Sequence, residues 1–196
     1  MDGDLVSETK EFERELAMHT APAMLGIKPA NLLTVEGSSG FISGNMARFN
    51  SIAAEKGLHI KELRRIGRRS LMLLYNEKLL ADRLEEKEVR KMFRNCGYGD
   101  CKNCRQYLEK LMDRMADNED FPHEIGLFLG YPVDDVRGFI DNKGRNCLFS
   151  GYWKVYTDEE NARRTFNRYN NCRKYMIGCL DRGEDIYKAM RIRSRA

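Results

Sequence analysis

Seven polar side chains, scattered over three stretches of this 196-residue chain, have types that could do chemistry together. They are His19 and Lys28 near the start, His123, Glu124 and Tyr131 in the middle, and Lys154 and Tyr156 later on. An imidazole accepts or relays a proton, a carboxylate holds one, an ammonium fixes an anionic group and a phenol donates a hydrogen bond. His123 and Glu124 adjoin where Pro122 marks the first turn of a helix. The positive end of a helix dipole disfavours imidazolium and favours carboxylate, which leaves a neutral His123 able to exchange a proton beside Glu124. Lys28 or Lys154 would then neutralise an anionic substrate group, and Tyr131 or Tyr156 would orient it. The expectation is one polar cleft for a small anionic ligand, with enzyme and sensor both open. In an enzyme, His123 and Glu124 are the catalytic pair, and His19, Lys28, Tyr131, Lys154 and Tyr156 bind the ligand. Plain structural roles are open to the same residues: Glu124 can complement a helix dipole, His123 can satisfy a carbonyl, His19 can close a helix and Lys154 can be solvated.

A different chemistry is offered by Cys96, Cys101 and Cys104, spaced C-x4-C-x2-C like an iron–sulfur run. A fourth soft ligand for iron or zinc is missing nearby, so this metal or redox reading stands as an alternative beside that of reduced structural thiols. Nothing in these residues names a cofactor. A third reading is an interaction or nucleic-acid-binding module, because Gly126, Leu129, Gly130, Val136 and Phe139 have helix-turn-helix spacing. Charge argues against nucleic acid. The would-be recognition helix opens PVDD, so Asp134 and Asp135 would face phosphates with only Arg137 to offset them. Net charge is +4, and residues 158–196, with ten Lys or Arg against six Asp or Glu, carry all of it. Arg191, Arg193 and Arg195 form a short basic tail of the kind that is solvated and frayed.

These side chains need elements to hold them. Ser7 can cap a helix through about Met18, and Thr20 a short turn closed by Gly26. Asn31 to Glu36 reads as a strand, and Met46, Phe49, Ile52 and Ala53 mark a helix stopped by Gly57. Leu58 to Arg65 alternates, whereas Ser70 to Tyr75 is continuously apolar, as a central strand is. Residues 76–116 are helical and charge-rich, broken by a loop at NCGYGDCKNC. In the stretch after Pro122, Ile125, Phe128 and Leu129 share a face, Gly130 ends the turn and Pro132 opens the next helix. GYWKVY is a fourth strand with Trp153 and Val155 on one side and Tyr152, Lys154 and Tyr156 on the other. A long helix from about Asp158 to Leu180 and a shorter one from Glu184 follow. The fold class is therefore α+β: a single domain over 1–196, with a four-stranded mixed or antiparallel sheet covered by helices and a basic helical tail at 183–196.

Hydrophobic content of 42% with 33% charged residues suits a soluble globule with its own core. Runs such as LMLLY and IGLFLGY fall far short of the ~20 residues a membrane span requires. The opening MDGDLVSETKEFERE lacks a basic start and an apolar stretch, so a cytoplasmic protein with reduced cysteines is expected. No glycine-rich phosphate loop follows any strand, which disfavours a nucleotide-fold enzyme. FPHEIGLFLGYPVDDVRGFI (121–140), HTAPAMLGIKPANL (19–32) and GYWKVY (151–156) together resemble the bacterial family called domain of unknown function 3793, over residues 16 to 175. That resemblance implies a small, soluble, intracellular protein, largely found in anaerobic bacteria, and brings no established catalytic or binding residues with it.

Overall fold

The computed structural model describes residues 2–117 and 121–192. Helix α1 (Asp2–Met24) leads through Lys28 and Pro29 into strand β1 (Ala30–Glu36), then α2 (Ser39–Ala53) and the hairpin β2 (Leu58–Ile66) and β3 (Arg69–Asn76). Three helices follow, α3 (Glu77–Glu85), α4 (Lys87–Asn95) and α5 (Cys104–Asp117), then the one-turn α6 (Ile125–Phe128) and α7 (Val133–Asp141). A ribbon of β4 (Phe149–Ser150) and β5 (Lys154–Val155) precedes the long α8 (Glu159–Asp181) and the short α9 (Ile186–Ala189). Among the described residues no helix is long and apolar enough to cross a membrane.

The main sheet has the order β1-β3-β2, antiparallel throughout, with Leu32 opposite Leu73 and Ile60 opposite Leu74. Its middle strand β3 is the continuously apolar run, because both of its faces are covered. Met72 and Leu74 join Leu33, Val35, Leu58 and Ile60 under α1, α2, α8 and α9. Leu73, with Leu63 and Ala30, faces the opposite way into a second core built by α3 to α7. Side chains alternate along a strand, so one apolar strand serves two cores.

The fold is α+β, but the expected four-stranded sheet is not formed. GYWKVY contributes only Lys154 and Val155 to a ladder, and their partners are Ser150 and Phe149 in a separate two-stranded ribbon. Gly151 to Trp153 is the turn itself, closed by the Gly151 amide donating to the Trp153 carbonyl at 3.0 Å. Trp153 and Val155 are nonetheless both buried, in a third cluster with Ala162, Phe166 and Tyr169 of α8, but Tyr152, expected on the other side, packs against the same cluster. The N-terminal expectation also changes. Helix α1 already runs at Asp2 and passes through Ser7, and Thr20 sits inside it rather than capping a new turn. Its hydroxyl donates to the Leu16 carbonyl one turn back at 2.7 Å, the usual way a mid-helix threonine is satisfied. Arg193 and Arg195 of the basic tail lie outside the described residues.

Candidate functional site

Three sequence segments meet at Tyr131. Its carbonyl accepts from Arg83 of α3 at 2.6 Å, and the same guanidinium reaches the Leu127 carbonyl at 3.4 Å, so α3 clamps the α6–α7 turn. Gly130 before it takes φ +72°, and a methyl group there would come within 2.7 Å of the Pro29 ring. Its phenol donates to the Tyr152 carbonyl at 2.9 Å, and its ring lies 5.0 Å from that of Trp153. Beneath the ring sits the Lys28 ammonium, 4.9 Å from the Tyr131 centroid and 5.5 Å from that of Tyr169 on α8. Glycine at 126 completes the fit, since a side chain there would strike Val136 at 2.8 Å.

Between α6, α7 and the ribbon this packing leaves a cleft of about 380 Å³. Its walls are mainly apolar, with Ile125, Leu129, Val136, Phe139 and Trp153 lining it. Two basic side chains line it. The Lys154 ammonium donates to the Gly144 carbonyl at 2.6 Å and lies 5.7 Å from the Phe139 ring, while the exposed His123 packs edge-on against that ring at 4.9 Å. Among the described residues Lys154 has no carboxylate partner. An ammonium has three hydrogens, and the Gly144 carbonyl takes one of them.

The cleft thus gathers His123, Tyr131 and Lys154, with Lys28 directly behind Tyr131. The remaining expected residues lie elsewhere. Glu124 is buried and turned away from His123, accepting from Arg114 of α5 at 2.6 Å and from the Tyr98 phenol at 3.1 Å. Neighbouring residues on a tight turn diverge, so adjacency in sequence did not make a proton-transfer pair. His19 is exposed on α1, 3.4 Å from Glu15 one turn back. Tyr156 packs its ring on Gly138, where a methyl group would come within 2.6 Å; its hydroxyl is sealed without a partner among the described residues, and burial, then Cys147 and Asp135, pushes the phenol up.

Asp135 carries more structure than the sequence suggested. It is buried, and its carboxylate accepts from the Trp153 indole at 2.7 Å, the Tyr156 amide at 2.8 Å, the Thr157 amide at 3.0 Å and the Thr157 hydroxyl at 2.9 Å. It therefore points into the protein, not toward a phosphate backbone, and Asp134 pairs with Arg137 at 2.7 Å. The glycines that suggested a helix-turn-helix serve close packing on Pro29 and Val136. Cys96, Cys101 and Cys104 are partly buried against the second core, and burial pushes each thiol up, Cys104 to about 11. Among the described residues no three His, Cys, Asp or Glu side chains are grouped to hold a metal ion.

Lys28 is the most unusual group near the cleft. It is 1% exposed, and among the described residues its ammonium has neither a salt bridge nor a hydrogen bond, only the two ring faces. Burial lowers its pKa from the ordinary 10.5 to about 7. Between those values the unfolded chain binds more protons than the folded one, so this group makes stability rise with pH. Below pH 7 both states are charged and the full penalty of burying an ammonium is felt. Lys28→Met is expected to be more stable than the parent at pH 6 by about 3 kcal/mol, with ring attraction offsetting part of the desolvation. Urea midpoints measured from pH 6 to 10 should rise in the parent and show less of that rise in the variant.

The comparisons with known proteins agree with the three motifs. No curated protein and no solved structure matches the chain. A family model described as a protein of unknown function, DUF3793, matches residues 16–190. Those residues span α1 to α9, and with them every wall of the cleft, so the chain belongs to the DUF3793 family.

Proposed function

We propose that the protein binds a small anionic ligand with a flat apolar body in the cleft between α6–α7 and the β4–β5 ribbon. One observation carries this reading: an apolar, aromatic-walled hollow with an ammonium at its mouth that, among the described residues, no carboxylate neutralises. Small-molecule sites combine such walls with a few placed polar groups. Phe139 and Trp153 would stack on the ligand body, and Lys154, with His123 beside it, would hold the charged end. A catalytic His123–Glu124 pair is not what this geometry favours, because the Glu124 carboxylate is engaged by Arg114 and Tyr98. The role we favour is binding.

Trp153 is the sole tryptophan of the chain and lines the cleft, so the protein has a built-in reporter. Titration with 8-anilinonaphthalene-1-sulfonate should quench Trp153 emission by energy transfer. N-phenyl-1-naphthylamine, the same aromatic body without the sulfonate, should bind about tenfold more weakly, as expected for loss of one charge-assisted contact. Lys154→Gln should remove most of that preference. Equal affinity for the two probes, or a preference that survives in Lys154→Gln, would rule the reading out.

A further inference from the structure

We propose that Lys28 is a proton-binding site coupled to the cleft, so that an anionic ligand enters together with a proton. The inference rests on the cleft being a ligand site and adds to it a second, hidden participant. Its basis is geometric. The Lys28 ammonium lies against Tyr131 with no counter-ion among the described residues, Tyr131 lines the cleft, and Trp153 lies beside that ring at 5.0 Å. A buried cation without a carboxylate is expensive and seldom retained without use.

The direction of coupling follows from what Lys28 already lacks. Only 1% of it is exposed, so a ligand in the cleft has little further desolvation to impose on it. The one new contribution is the ligand's negative charge, acting across a poorly screened interior and favouring the ammonium. Because burial sets the Lys28 pKa near 7, this group is part-charged in the neutral range and can respond. The groups facing it stay fixed in charge there. Burial raises the Tyr131 phenol far above that range, and raises Tyr169 on α8 to about 12. The Arg83 guanidinium from α3, bound to the Tyr131 carbonyl, remains a cation. On the cleft side stand Lys154, Asp135, which is satisfied by four donors, and His123, the one imidazole there.

The test therefore uses His123→Gln protein and 8-anilinonaphthalene-1-sulfonate, whose charge does not titrate. Calorimetric titrations at pH 7 in two buffers of different ionisation enthalpy read the protons taken up per probe bound. Up to about half a proton is expected, since a group with a pKa near 7 is half-charged at that pH. Affinity should fall roughly tenfold between pH 6 and 9, the change that one unit of pKa coupling produces. Adding Lys28→Met should abolish both effects while Trp153 still reports probe binding. No uptake in the His123→Gln protein, or equal uptake after Lys28→Met, overturns the inference. If the double variant does not fold by circular dichroism, the pH profile of His123→Gln alone decides: a fall centred near pH 7 supports it and a flat profile overturns it. Failure of the probe to reach Trp153 at all removes the cleft reading instead, and this inference with it.

Discussion

Asp135→Ala is expected to destabilise the protein by about 3–5 kcal/mol, the range for removing one partner of a buried charged network, and to shift Trp153 emission to the red. Four donors converge on that carboxylate, and three of them, the Trp153 indole and the amides of Tyr156 and Thr157, cannot turn away to find other acceptors. The indole would be stranded in a buried site and the two amides in a part-buried one. Asp135→Asn keeps one acceptor oxygen for the backbone amides but presents a donor to the indole, so it should lose an intermediate amount. Urea unfolding followed by tryptophan emission and by circular dichroism separates local from global effects. A variant within about 1 kcal/mol of the parent, below the cost of even one stranded donor, would show that the ribbon does not depend on this carboxylate.

Gly130→Ala should cost about 2–4 kcal/mol, from two causes that can be separated. The residue sits at φ +72°, where a side chain is strained by about 1 kcal/mol whatever the space around it. In addition the new methyl would lie 2.7 Å from both Cγ and Cδ of Pro29, ring atoms with little room to retreat. Pro29→Ala in the same chain should relieve the second part and leave the first, giving a coupling of about 1–2 kcal/mol in a double-mutant cycle. Additivity of the two changes in chemical denaturation would mean that the loops carrying Lys28 and Tyr131 do not press on each other. Their register would then need another explanation.

Much of the framework could be read from pattern. The unbroken apolar run at 71–74 announced a strand covered on both sides, and the alternation in GYWKVY gave the buried side of Trp153 correctly. What pattern could not give was pairing. A strand signature states which face is apolar, not how many rungs will form, and Gly151 turned most of that segment into a loop. The cleft was legible to a similar depth. His123, Tyr131 and Lys154 do share it, but Glu124 was assigned by adjacency, and one step along a turn was enough to send its carboxylate to Arg114 on another helix. Asp135 read only as an acid that would face phosphates at the start of the would-be recognition helix. Its real partners lie 18 to 22 residues ahead, and no local signal marks them. For Lys28 the missing clue was Tyr169. The 3.6-residue repeat that puts Ala162, Phe166 and Tyr169 on the inner face of α8 would have nominated that ring, but not the amine beneath it.

The β4–β5 ribbon has a ladder of only two residue pairs, and so short a hairpin has little stability of its own. It forms one side of the hollow, to which the three-stranded sheet contributes only Leu32, while that sheet is enclosed by two separate cores. On the binding reading proposed above, the cleft would open before the sheet does. Substitutions in the ribbon that leave the Asp135 anchor in place are then a route by which a lineage could exchange one guest for another while its scaffold stays intact.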